Sequence, residues 1–326
     1  MSLVAATDIG ARNIESPGLW VAFLAGIVAL LLLDLRLASR RHHAQKFGEA
    51  VGWSVFWITL SVAFGSYLWS RYGGEQGLEF FAGYLLEKSL SVDNLFVFVI
   101  LFRTLRVPAE HQHRVLFWGV LGAVVMRGVF ILAGVALVKH FQWVIAIFGA
   151  VLVYSAAKLA LAKDDEEQDP TDNFIVRRAR KVIPMTAGIE GPRFLVRRDG
   201  AILATPLLLA VIAAEATDLI FALDSIPAVF AVTDDPFLVF SSNICAILGL
   251  RALYFVVAGA IGRLTYLKVG LAGILFFIGG KMVLYKWVHL ATGVPLAVIG
   301  VILAIALIAS LLRRPAAERP SSSDAK

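Results

Sequence analysis

The chain alternates long apolar runs with short charged connections. Residues 50–70 and 287–312 hold no Asp, Glu, Lys or Arg over 21 and 26 positions, and about 20 apolar residues carry a helix across a bilayer. Nine such runs can be marked, at 17–36, 51–70, 78–102, 115–138, 141–162, 202–232, 237–261, 267–287 and 293–312. They predict an all-α, polytopic helical membrane protein. A transmembrane barrel is excluded, since it is built from short alternating segments. Composition agrees: 59% of the 326 residues are hydrophobic and 17% charged, against about a quarter charged in a soluble domain.

Charge then sets the topology. Of the 30 Lys and Arg, 21 lie in or at the edges of the connections after runs one, three, five and seven and in the C-terminal tail. Only Arg12, Arg71, Lys139 and Lys286 lie on the opposite side, and five fall inside runs. Basic residues accumulate on the cytoplasmic side, so the N-terminus is expected outside and the C-terminus in the cytoplasm. No signal peptide is read, because the first apolar run follows Asp8, Arg12 and Glu15 without a basic start. The net charge of +6 needs no nucleic acid partner; the bilayer accounts for it. The connection 163–200 sets acidic Asp164–Glu167 before basic Arg177–Lys181 and is read as solvated charge, and the tail after Pro320 as disordered.

The chain also resembles itself. Glu87, Asp93 and Asn94 in run three are echoed by Asp218, Asp224 and Ser225 in run six; Arg127 in run four is echoed by Arg251, and Lys158 in run five by Lys281. Three runs per unit is odd, so the two units lie upside down to one another, the architecture of transporters with a site at the midplane. The organisation expected is 1–76, two helices; 77–162, the first three-helix repeat; 163–200, a cytoplasmic connection; 201–288, the inverted repeat; and 289–326, the last span and tail. Runs three and six carry Glu87, Asp93, Glu215, Asp218 and Asp224. One such charge at a helix centre costs roughly 2.5–3.5 kcal/mol, which points to function.

Residues six apart on a helix diverge by about 240°, so each acid pair reaches one ion only if its helix unwinds or the ion sits between helices. Pro227, which clashes with the carbonyl of Leu223, makes run six the place to expect unwinding. Metal ligands are expected in Glu87, Asp93, Asn94, Glu215, Asp218, Asp224 and Ser225, with Arg127, Lys158, Arg251 and Lys281 as second shell or counter-charges. An all-oxygen set suits hard divalent cations such as Mn²⁺, Mg²⁺ and Ca²⁺. Cys245 is the one cysteine, and the six histidines lie at run ends or in connections, so soft-metal chemistry is disfavoured. No enzyme motif stands out. Glycines such as Gly122, Gly128 and Gly134 are read as permitting close helix packing.

These motifs carry a resemblance. Glu87-Lys-Ser-Leu-Ser-Val-Asp-Asn-Leu-Phe-Val-Phe98, Asp218-Leu-Ile-Phe-Ala-Leu-Asp-Ser-Ile-Pro-Ala-Val-Phe230 and Ser242-Asn-Ile-Cys-Ala-Ile-Leu-Gly-Leu-Arg-Ala-Leu-Tyr-Phe255 resemble the signatures of the TerC family, which includes the alkali-inducible Alx proteins. Cys245 stands where Phe is usual. The resemblance implies a bacterial inner-membrane protein of the lysine-exporter superfamily, associated with Mn²⁺ export and, in some members, tellurite resistance. It supports Asn94 and Ser225 as ligands more than geometry does. The expectation is a Mn²⁺ exporter, coupled to protons or potential, with no tightly bound cofactor and with oligomeric state left open. Its rivals are a carrier of calcium or a tellurium oxyanion, and a non-transporting scaffold whose charges only hold the bundle together.

Overall fold

A computed structural model describes residues 14, 16–39, 47–141, 143–161, 174–186, 188–198, 200–260, 266–284, 287, 290–291 and 293–312. The acidic run 164–167, His42, His43 and the tail lie outside them. The helices are α1 (Pro17–Ser39), α2 (Phe47–Tyr72), α3 (Gly74–Thr104), α4 (Ala109–His140), α5 (Val144–Leu161), α6 (Phe174–Val182), α7 (Pro206–Phe230), α8 (Pro236–Ile247), α9 (Leu250–Ala260), α10 (Leu267–Val283) and α11 (Gly293–Leu312). Two short antiparallel strands, β1 (Leu195–Arg198) and β2 (Ala201–Ala204), precede α7. The chain is a polytopic all-α membrane protein.

Among the described residues, α2, α4, α5, α7 and α11 are long and apolar enough to cross a bilayer, and the bent pair α8–α9 makes a sixth if counted as one span. The other three expected runs are also helical. Helix α3 is long, but Glu75, Glu79, Glu87, Lys88 and Asp93 reduce its hydropathy; the apolar part of α1 and the 17-residue α10 are short. Helix α4 shows how its sequence meets lipid. Val125, Val129 and Leu132, spaced four and three residues apart, are more than 60% exposed, whereas Ala123, Arg127 and Ile131 on the opposite face are buried. Its cation points inward and its valines outward, as hydrocarbon surroundings require.

Two expectations change. Pro227 does not unwind α7, which is continuous from Pro206 to Phe230. The proline removes a single backbone donor, the one that would meet Leu223, and a membrane helix can continue through such a loss. The break comes instead between α8 and α9, which meet at a 46° bend. Gly249 there adopts φ +87°, a conformation that glycine takes without steric cost, and the Trp57 ring fills the space where a side chain would be. The connection 163–200 is also more structured than its charge suggests, since it contains α6 and β1.

Packing pairs α3 with α8, α4 with α7, and α5 with α10. Exchanging α3, α4 and α5 for α7, α8 and α10 maps these pairings onto themselves. The α5–α10 crossing is the tightest. A Cβ on Gly149 would lie 2.8 Å from the Gly279 carbonyl oxygen, and a Cβ on Gly279 would lie 2.8 Å from that of Gly149.

Glycine positions give a direct test. Gly249→Ala should lower the thermal unfolding midpoint of the detergent-solubilised protein, because positive φ and the Trp57 ring both oppose a methyl group, at a cost of at least about 1 kcal/mol. Gly280→Ala, in α10 with open space around it, should leave the midpoint unchanged or raise it, since alanine is favoured over glycine in a helix by about 1 kcal/mol.

Candidate functional site

Four helices each contribute one polar side chain to a single buried point. Arg127 of α4 is fully buried, as are Glu87 of α3 and Asn243 of α8; Asp218 of α7 is 8% exposed. The guanidinium grips Asp218 with both prongs, Nη2 donating to Oδ1 at 2.9 Å and Nε to Oδ2 at 3.3 Å. Its Nη1 donates to Glu87 Oε1 and, at 3.3 Å, to Asn243 Oδ1. The Asn243 amide closes the ring by donating to Glu87 Oε2 at 3.0 Å. A planar fork that stays charged suits this geometry, which a lysine could not reproduce. Two carboxylates thus share one cation.

The other candidate ligands surround this centre. Asp224, one and a half turns beyond Asp218, accepts from Ser155 of α5 at 2.8 Å and lies within electrostatic range of Lys158, which is exposed on α5. Glu215, one turn before Asp218, lies within electrostatic range of it. Its Oε1 is buried without a hydrogen-bond partner among the described residues, and its carboxylate occupies the space where a Cβ on Gly122 of α4 would be. Gly122 is therefore more than a packing residue, because it makes room for an acid. Asn94 lines a small cavity between α3 and α7 with Thr217, Asp218 and Phe221, and its amide nitrogen has no partner among the described residues. Ser225, its counterpart in the echoing sequence motif, is buried with a hydroxyl that likewise has no partner among the described residues. The Asp93 side chain lies outside the described residues. Among those described, no three His, Cys, Asp or Glu side chains converge as a metal centre would require.

Two basic residues hold backbone carbonyls. Lys88 donates to the Ala246 carbonyl at 3.1 Å and Lys281 to that of Ala231 at 2.7 Å, while Arg251 lines a second cavity with Trp53, Trp57 and Phe117. The Lys281 contact places a cation at the C-terminal end of α7, where the helix dipole favours one. The same end is tied to α3, because Thr233 donates its hydroxyl to Glu79 at 2.6 Å. Beyond it, Asp235 caps α8 by accepting from the N–H groups of Phe237 at 2.7 Å and Leu238 at 3.1 Å.

Sequence reasoning missed Asn243, Ser155, Glu79 and Thr233. Asn243 could have been found, since it is an amide in an otherwise apolar run and lies within the third quoted motif. Ser155 carries no such signal, because serines of this kind are common in membrane helices.

The helices and this buried charged centre define a polytopic membrane protein organised around intramembrane ion pairs. The chain belongs to the TerC family of integral membrane proteins, whose profile matches residues 72–319. It is 49% identical to an uncharacterised membrane protein of Myxococcus xanthus over 92% of this chain and 94% of that one. It is 46% and 45% identical to Alx proteins of Salmonella typhi and Escherichia coli K12, over 91% of this chain and 95% of theirs; their names cast them as candidate membrane-bound redox modulators. No solved structure matches the chain.

Removing Arg127 alone should be severe. Arg127→Met leaves two buried carboxylates without their cation, and breaking a buried pair in this way costs about 3–5 kcal/mol. The variant should accumulate poorly in membranes. Adding Glu87→Gln and Asp218→Asn should restore the amount of folded protein, measured by fluorescence-detected size exclusion, because no unpaired charge then remains at this point.

Proposed function

We propose that the protein exports Mn²⁺ across the bacterial cytoplasmic membrane, by alternating access between two inverted three-helix units within a nine-span bundle. The reading rests above all on Arg127, held between Glu87 and Asp218 on helices from the two units. Carboxylates brought together around a tethered cation are carboxylates arranged to receive one. A divalent ion arriving at Glu87 and Asp218 replaces the guanidinium, which cannot lose its proton and must swing aside. Asp93, Asn94, Glu215, Asp224 and Ser225 supply further oxygens in other states of the cycle. Glu215 and Ser225 support this assignment, since each has a buried side-chain oxygen without a partner among the described residues, an uncommon and costly condition.

The cation is cargo and not a resident cofactor. Oxygen ligands favour Mn²⁺, Ca²⁺ or Mg²⁺ over softer ions, and the TerC resemblance selects Mn²⁺ among them. An internal disulfide couple needs two thiols, and the chain has only Cys245. The N-terminus lies outside and the C-terminus in the cytoplasm, on the distribution of basic residues.

Flux of ⁵⁴Mn²⁺ in proteoliposomes tests the reading. Asp224→Asn should lower flux at least tenfold, with the protein recovered in normal amount, because Asn keeps an oxygen to accept from Ser155 and the nearby Lys158 is exposed, so that the charge lost is one offered to the ion. Normal flux in both Asp224→Asn and Asp218→Asn would leave the scaffold reading. Reporter fusions after Lys326 and within 163–173 should both read as cytoplasmic; a periplasmic signal at either would reverse the direction of transport.

A further inference from the structure

The segment between α5 and α7 presents a surface that the transport reading does not use. Between positions 174 and 205 the sequence holds seven basic residues and two acidic ones. One of those acids, Glu190, is already paired with Arg198 at 2.9 Å. Helix α6 turns Val176 and Ala179 into the core and packs on α7. The rest of its surface is unusual for a solvated helix. Arg178, Arg180 and Lys181 are exposed, and so are Phe174 at 73% and Val182 at 69%. The hairpin repeats the mixture: exposed Arg197 stands directly opposite Ile202, which is 64% exposed, and Leu195 beside them is 54% exposed.

Position in the fold narrows the partner. The hairpin leads into α7 through Thr205, whose hydroxyl donates to the Arg193 carbonyl at 2.7 Å. Phe194 just before it packs edge-on to Trp118 of α4 and lies under the Arg114 guanidinium at 4.9 Å. Trp118 is itself half exposed, and exposed tryptophans on spanning helices mark the boundary between lipid and water. The basic and apolar side chains therefore stand at headgroup level. Cations alone would suit any soluble anion. Cations interleaved with large apolar side chains suit an interface that is anionic outside and oily within.

We propose that α6 and the β1–β2 hairpin form a docking surface for anionic phospholipid headgroups of the bilayer the protein spans. Arg178, Arg180, Lys181 and Arg197 meet the phosphates, and Phe174, Val182 and Ile202 sit in the acyl boundary. The inference requires a bilayer and is independent of which ion, if any, is carried.

The test uses the full chain with Cys245→Ala and a bimane probe at Phe174→Cys, in vesicles of phosphatidylcholine with and without phosphatidylglycerol. A second probe at Val125→Cys, on the lipid-facing side of α4, provides a reference that is quenched by doxyl-labelled lipid in both mixtures. The Phe174 probe should shift to the blue and be quenched by doxyl lipid only with phosphatidylglycerol. Each Gln substitution at the four basic positions should weaken its partitioning about fivefold, and high salt should reverse it. Equal behaviour in both lipid mixtures would overturn the proposal. So would inorganic phosphate reproducing the shift in phosphatidylcholine alone, which would make the surface a site for soluble anions.

Discussion

A guanidinium that cannot be discharged lies at the centre of this molecule, and much of the surrounding structure is organised around it. Arg127 is fully buried in a helix whose opposite face is exposed apolar surface. Moving a single charge from water to a medium of low dielectric costs several kcal/mol even after relaxation, so the fold has to supply partners from elsewhere. It does so with three other helices: Glu87 from α3, Asp218 from α7 and Asn243 from α8. The α4–α7 and α3–α8 packing that brings these residues within reach is the same packing that forms the core. Gly122 on the α4–α7 seam admits a second acid, Glu215, one turn from Asp218.

This arrangement separates two roles that a buried ion pair can play. A pair that only holds helices together has every oxygen and nitrogen satisfied, as Glu87, Arg127 and Asn243 nearly achieve among themselves. The surrounding shell is not satisfied to that degree. Glu215 Oε1, the Asn94 amide nitrogen and the Ser225 hydroxyl are buried without partners among the described residues, and Asn94 and Ser225 occupy matching positions in the two echoing sequence motifs. A closed centre within an open shell favours the reading of a cation held in reserve until another arrives.

The sequence made the helices legible because hydrocarbon imposes one solution on the backbone. It also made Glu87 and Asp218 legible, since a carboxylate within an apolar run is costly enough to be noticed. The partners were harder to assign. Arg127 was recognised as a counter-charge, but nothing in its spacing distinguished it from Lys158, which the fold sets near Asp224, or from Lys281, which it sets on the end of α7. Distance along the chain does not encode which cation meets which acid; helix crossing does. The bend was misplaced for a related reason. Pro227 is the conspicuous helix breaker, but α7 runs through it to Phe230. Gly249, in contrast, draws attention only once Trp57 is seen against it.

The order in which these partners are synthesised has a consequence for biogenesis. Glu87 leaves the ribosome first, Arg127 follows 40 residues later, and Asp218 comes 91 residues after that. Helix α3 is too polar to be judged a membrane span on its own hydropathy, and the acid it carries finds its cation only when α4 has been made. Arg127 in turn waits for α7 before its second prong is filled. The buried centre is therefore completed in chain order, with α3 and α4 first, then α7, and last α8 with Asn243.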